Sequence, residues 1–291
     1  MGTGGLERGC VPFLGLDPCR AHVTGAWLRS SSRETASQSG CPSLVFCSPK
    51  RKQKKKLNHV TQMIVPVMFH DVDVLTEQLF PVVEAMQKHF SAGSGAYYSD
   101  SIFFLSVAMH RIMPTEVERI IQLDLDLKYE TNIRELFEEF DHFLQGAVIG
   151  IAREMQPVYR HTFWQFRREN PQTKVGEPPP DGLPGFNSGV MLLDLEAMRQ
   201  SQLYNQLLEP DMVRQLTEKY HFKGHLGDQD FFTMIGMEHP ELFHVLDCTW
   251  NRQLCSWWRE HGYSDVFDQY FRCEGQVRIY HGNCNTPIPE D

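Results

Sequence analysis

From about residue 65 the chain alternates between two apolar rhythms. Short runs rich in β-branched and aromatic residues mark strands, and apolar positions recurring every three or four residues mark amphipathic helices. MIVPVMFHDVDVL reads as strand. LTEQLFPVVEAMQKHF, residues 75–90, places Leu75, Leu79, Val82, Val83 and Met86 at helical spacing, with Thr76 as its N-cap. SDSIFFLSVAMHRIM predicts a buried helix starting at Ser99 or Asp100 and ending before Pro114. VERIIQLDLDL reads as a buried strand approaching an exposed end, NIRELFEEFDHFL as an amphipathic helix, and AVIGIA as another buried strand. Residues 167–185, rich in Pro and Gly, predict a surface loop. GVMLLDL is strand-like, and LEAMRQSQLYNQLLEPDMVRQLTEKY reads as one or two helices. DQDFFTMIG opens a further helix, and LFHVLD is a short strand. Strands alternating with helices predict an α/β sandwich.

Residues 1–64 have no such rhythm. They are rich in Gly, Ser, Arg and Cys, and include KRKQKKK from Lys50 to Lys56. A nuclear-localisation or anion-binding patch is one reading of that run. A solvated, irregular tail is the plainer one, because the segment lacks the apolar content for a core. The charge divides at the same place. Residues 1–64 carry ten Lys/Arg against three Asp/Glu, and the remainder 18 against 34. So acidic a body disfavours non-specific nucleic-acid binding, which needs cations to displace phosphate counterions. It suits recruitment of divalent cations. No apolar run reaches the 18 or more residues of a membrane-spanning helix, and the N-terminus does not have the layout of a signal peptide.

Eight cysteines fall into two groups of four: Cys10, Cys19, Cys41 and Cys47, then Cys248, Cys255, Cys273 and Cys284. The later group fits two disulfides, in any of three connectivities, or a zinc site. The spacing contains no Cys-x2-Cys knuckle, which favours disulfides and hence an oxidising compartment.

The candidate chemistry lies in four stretches. QLDLDL sets Asp124 and Asp126 one residue apart among apolar neighbours, where an unpaired buried carboxylate is costly. Convergence on one divalent cation would explain them, since hard cations prefer carboxylate oxygens. GFNSGVMLLDL puts Asn187, Ser188 and Gly189 as a small polar turn just before a strand, open to close approach by a sugar or phosphate. HLGDQDFFTMIG places Asp228, Gln229 and Asp230 at a helix start, where first-turn acids also suit the helix dipole. RIYHGNCNTP ends a strand on His281, followed by Gly282; neutral imidazole ligates manganese-like ions.

In this order and spacing the four stretches resemble glycosyltransferase family 8, over about residues 67–291. The resemblance implies a GT-A-type, Rossmann-like mixed sheet flanked by helices, its first strands missing because residues 1–64 do not match the family. It divides the chain into 1–64, irregular, and 65–291, the glycosyltransferase domain. It implies Mn2+ held by Asp124, Asp126 and His281. Donor contacts would fall at Asp100, Leu125, Asn187, Ser188, Gly189, Asp228, Gln229 and Gly282, with Gln229 catalytic, beside the anomeric carbon. Trp257, Trp258, Asn283 and Thr286 would meet the acceptor. The nearest likeness is to members that move xylose. They imply a UDP-xylose donor, an EGF-repeat glycoprotein acceptor bearing O-linked xylose-glucose, a retaining α1,3-transfer, and the lumen of the endoplasmic reticulum behind a membrane anchor. Two other readings fit the acidic pair alone: a catalytically silent metal- or EGF-binding form of this fold, and a metal-dependent phosphoesterase.

Overall fold

The computed structural model describes residues 67–91 and 101–290, together with the strand segments 11–13, 28–30 and 43–46. Strand Phe186–Asp194 is buried along almost its whole length because the sheet around it is covered on both faces. Its side chains divide by parity. Met191 and Leu193 enter one apolar cluster, and Val190 and Leu192 enter a second on the opposite face. The first cluster gathers Val82, Met86 and Phe90 from helix Phe80–Phe90, Val213 from helix Pro210–Lys219, and Phe231 and Ile235 from helix Asp228–Glu238. The second holds Ile133 and Leu136 from helix Ile133–Glu138, with Trp250 and Ile279. This is the three-layer α/β arrangement that the alternating pattern predicts.

The strands are β1 Val11–Phe13, β2 Leu28–Ser30, β3 Ser43–Phe46, β4 Val67–His70, β5 Arg119–Leu123, β6 Leu127–Tyr129, β7 Ile149–Arg153, β8 Phe186–Asp194, β9 Phe243–Leu246, β10 Arg252–Gln253 and β11 Ile279–His281. The central sheet runs β2-β5-β8-β7-β9. It is mixed, with β5 and β7 antiparallel to β8, and β9 parallel to β7. A smaller sheet runs β10-β11-β6, and β1-β3-β4 form a third. Three of these strands fall within residues 1–64, where the sequence predicts only irregular chain. β3 pairs with β4, and β2 with β5.

Several local expectations are corrected. DVDVL is helical, not strand. Helix Val72–Gln78 starts at Asp71, whose carboxylate accepts from the amides of Asp73 and Val74, so Thr76 is not the cap. The helix predicted over 75–90 is two, meeting at Leu79 before Pro81. The stretch before Pro114 is mostly two 3-10 turns, Ser101–Phe104 and Ser106–Ala108, and only Met109–Ile112 is α-helical. The segment after β8 makes three helices, Leu195–Gln200, Gln202–Leu207 and Pro210–Lys219. Residues 167–185 are not wholly a surface loop. They begin in helix Trp164–Glu169, Val175 is buried, and Glu177 is ion-paired to Arg160 and Arg167.

The late cysteines pair as Cys248–Cys273 and Cys255–Cys284, so they form no zinc site. Cys10, Cys19, Cys41, Cys47, the Lys50–Lys56 run and Asp100 lie outside the described residues.

Candidate active site

β5 belongs to the central sheet and β6 to the small one, and the three residues between them are Asp124, Leu125 and Asp126. The chain changes sheets there. The Asp124 amide still donates to the Gly189 carbonyl of β8 (2.9 Å), while the Asp126 carbonyl accepts from the Gly282 amide (2.8 Å). This settles why carboxylates stand in an apolar run. Leu123 is buried in the sheet, but the Asp124 and Asp126 side chains are 52% and 49% exposed at the junction. The buried strand thus ends at an exposed point, as its sequence predicts.

The register of β6 and β11 sets Leu127 opposite His281, so the imidazole lands beside the acid pair. Its Nε2 lies 3.6 Å from Asp124 Oδ2 and 3.4 Å from Asp126 Oδ1. Ligand atoms of all three residues lie within 4.8 Å of one another. Cations that hold their ligands at ~2.0–2.6 Å span about that separation. Burial opposes charge on the imidazole, yet the Asp126 hydrogen bond and both carboxylates hold its pKa above the ordinary histidine range.

The other ring nitrogen is committed elsewhere. His281 Nδ1 is 2.9 Å from Asn251 Oδ1. Asn251 Nδ2 donates to Asn187 Oδ1 (2.9 Å), and Asn187 Nδ2 donates to Glu154 Oε2 (3.1 Å). With Nδ1 carrying its proton toward Asn251, the Nε2 lone pair of neutral imidazole faces the acids, as a metal ligand requires. Two carboxylates and such an imidazole fit a divalent cation.

Asn187, Ser188 and Gly189 lie inside β8 rather than in a turn before it. The pairing of β7 with β8 jumps from Ile151–Met191 to Ala152–Asn187, so β8 bulges there. Gly189 occupies the bulge beneath the imidazole. Gly282 is close to its own chain, since a Cβ on it would meet the Thr286 carbonyl at 2.8 Å.

The other wall is the first turn of helix Asp228–Glu238. Gln229 Nε2 donates to Glu154 Oε2 (3.2 Å) and Tyr159 Oη (3.3 Å), and its Oε1 accepts from the Ser188 amide (3.2 Å). Asp228 accepts from the hydroxyls of Ser106 (2.6 Å) and Ser188 (3.1 Å). Asp230 accepts from Tyr159 Oη (2.8 Å) and the Leu226 amide (2.7 Å). Burial pushes Asp228, Asp230 and Glu154 each up to about 7.

The remaining sequence candidates lie nearby. Leu125 is 57% exposed between the two acids. Asn283 Oδ1 accepts from the amides of Leu254 and Cys255, which holds segment 254–255 against the end of β11. Thr286 is half-buried. Trp257 and Trp258 follow directly, and neither is in the core. They contact each other edge-on, with Trp257 stacked on His261 and Trp258 against His161 and Tyr263.

Glu154, Tyr159 and Asn251 were missed from the sequence. None of them stands out from the polar residues beside it in the chain, and only the fold brings them to His281 and Gln229. The one available signal was Glu154, a carboxylate at the end of a buried strand.

A profile of Glycosyl transferase family 8 matches residues 36–269. The chain belongs to glycosyltransferase family 8. Over 225 residues it is 85% identical to mouse xyloside xylosyltransferase 1 and 83% identical to the human protein of that name. Each match spans 77% of this chain and 57% of the relative, so the chain covers a little over half the length of these family members. The crystal structure of mouse xyloside xylosyltransferase 1 in its apo form aligns with a TM-score of 0.73 at 83% identity, covering 77% of each chain. The architecture is therefore GT-A-like, as expected.

Proposed function

We propose that this chain transfers xylose from UDP-xylose, with retention of configuration, to O-linked xylose-glucose on EGF-repeat glycoproteins, forming an α1,3 linkage. One observation carries the reading. Asp124, Asp126 and His281 converge where two sheets meet, beside a wall built from Asn187, Ser188, Asp228 and Gln229. The 85% identity to a protein named for xylosyl transfer to a xyloside supplies the sugar class. We assign Mn2+ to the triad because carboxylates and imidazole together suit such an ion. Bound there, a divalent cation supplies charge neutralisation for a departing diphosphate.

The chain's own groups do the rest. Asn251 holds the imidazole so that its free lone pair faces the acids. Gln229, fixed by three hydrogen bonds, presents an uncharged polar group at the place assigned to the anomeric carbon. Glu154, Asp228 and Asp230 all accept hydrogen bonds from protein donors. This favours attack by the acceptor hydroxyl on the face UDP leaves over a covalent carboxylate intermediate. Leu125, Gly189 and Gly282 shape the donor side, and Asp100 is assigned there from the family pattern. Trp257 and Trp258 offer aromatic faces for the acceptor, with Asn283 and Thr286 at its edge. We assign the catalytic unit to residues 65–291. We place it in the lumen of the endoplasmic reticulum, where the oxidising environment suits its two disulfides. Among the described residues no helix is long and apolar enough to cross a membrane.

The test is Mn2+-dependent transfer from UDP-xylose to a xylosyl-glucose acceptor. We expect product with the wild-type chain and none with Asp124→Asn. Hydrolysis of generic phosphate esters without acceptor would favour a phosphoesterase, and acceptor binding without turnover would favour a silent binder.

A further inference from the structure

Among the described residues, Glu154 is the carboxylate that hydrogen-bonds to both Asn187 and Gln229. Its Oε2 accepts from Asn187 Nδ2 and from Gln229 Nε2, and its Oε1 accepts from the Gln156 amide (2.9 Å). It is 4% exposed. Every neighbour on these bonds is a donor, an arrangement that an ionised carboxylate satisfies with both oxygens.

An amide side chain carries its oxygen at one end and its NH2 at the other, so fixing one end fixes both. With Asn187 Nδ2 drawn to Glu154, Asn187 Oδ1 faces Asn251 and accepts its Nδ2. Asn251 Oδ1 is thereby turned to His281 Nδ1, which must carry the proton. On the other arm, Gln229 Nε2 is drawn to Glu154, so its Oε1 is free to receive the Ser188 amide.

We propose that Glu154 is a positioning residue that sets, through Asn187 and Asn251, the Nδ1–H tautomer of His281, and in the same stroke the orientation of the Gln229 amide. Its hydrogen bonds run to Asn187, Gln229 and Gln156, and none runs to Asp124, Asp126 or His281. This deepens the reading of Asp124, Asp126 and His281 as a metal site and rests on it. A glutamine at 154 has one NH2 end. That end must face either the Gln156 amide or the two side-chain NH2 groups, donor against donor. Turning Asn187 and Gln229 over removes that clash only by setting their NH2 groups against the Gly189 and Ser188 amides, which donate to Asn187 Oδ1 (3.1 Å) and Gln229 Oε1 in the wild type. No single arrangement of these amides then satisfies every donor, and the orientation of Asn251 toward His281 Nδ1 is no longer enforced.

The test reads the imidazole directly. Metal-free protein with 15N-labelled histidine is observed by long-range 1H–15N correlation at alkaline pH, with His281→Gln identifying the resonance. Mn2+ affinity is measured in parallel from the electron paramagnetic resonance of free Mn2+, with no substrate present. We expect a single Nδ1–H tautomer in the wild type. In Glu154→Gln we expect the single tautomer to give way to a mixture with Nε2–H, and an Mn2+ affinity lower by roughly tenfold or more, the usual effect of losing a partner behind a ligating histidine. An unchanged tautomer and affinity in Glu154→Gln, or an Nε2–H wild type, would overturn the proposal. Should Glu154→Gln not fold, Asn251→Leu removes the acceptor at Nδ1 without touching Glu154, and retention of the wild-type tautomer there would overturn it equally. A wild type that shows the predicted tautomer but transfers no sugar would count against the proposed function and leave this inference standing.

Discussion

The imidazole of His281 lies directly over the Cα of Gly189. A Cβ built on Gly189 would stand 2.7 Å from His281 Nδ1 and closer still to Cε1, with Asn187 Oδ1 3.1 Å away. Glycine at 189 is thus required by the histidine, whatever a donor sugar also asks of it. Gly189→Ala is expected to push the ring off the acid pair and lower Mn2+ affinity by roughly 10–100-fold, the range seen when a ligating histidine loses its orientation. Secondary structure should survive. Mn2+ titration with circular dichroism on the same sample checks both.

Stability should depend on pH in an unusual direction. Burial raises Glu154, Asp228 and Asp230 to about 7. Between the ordinary carboxylate range near ~4 and that value, the native state holds more protons than the unfolded chain, so its stability falls as pH rises. His281 acts in the same sense, because the stability from its raised pKa is lost as pH climbs past it. One pKa unit corresponds to ~1.4 kcal/mol, so three such carboxylates together make an effect of several kcal/mol. The melting temperature of metal-free protein is expected to be higher near pH 5.5 than near pH 8. Added Mn2+ should raise it more at the higher pH, where its ligands are deprotonated. A flat profile would contradict the burial of these acids.

The bond between Cys255 and Cys284 clips the residues after His281 to the segment bearing the tryptophans. Cys284 and Asn285 both have left-handed backbone, with φ of 58° and 55°, so this corner needs external support. Cys255→Ser with Cys284→Ser should cost ~3 kcal/mol, the scale for closing a loop of this size. It should also weaken Mn2+ binding, since His281 stands three residues away. The Cys248–Cys273 pair joins no residue within three positions of His281, and its removal should affect melting more than metal affinity.

Trp257 is 51% exposed and stacked on His261, so replacing it leaves the core intact. Trp257→Ala is expected to raise KM for the glycoprotein acceptor by about tenfold, equivalent to ~1.4 kcal/mol. Affinity for UDP-xylose should not change. A loss of donor binding instead would place the aromatic pair on the wrong side of the site.

Much of this was legible in the sequence because it rests on local pattern. The apolar run Val190–Leu193 announces a strand covered on both faces, and Asp124, Asp126 and His281 announce a cluster that could hold a cation. What the sequence hid is non-local. That β5 and β6 belong to different sheets, leaving the acids half-exposed rather than buried, depends on the pairing of Leu127 with His281 across about 150 residues. The bulge at Asn187–Gly189 is a matter of register, which no residue in GFNSGV declares. Glu154 and Asn251 are invisible for the same reason, since their meaning is a hydrogen-bond partner far away in the chain. The Thr76 cap failed because Asp71, a better acceptor for free helix amides, stands a turn earlier.

The central claim is that the acid pair and His281 hold the cation through which a sugar nucleotide binds. Calorimetric titration of UDP-xylose into the wild-type chain and into Asp126→Asn, each with and without Mn2+, tests it most directly. We expect saturable binding only in the wild type with Mn2+ present. Equal binding without the metal, or binding untouched by Asp126→Asn, would contradict it.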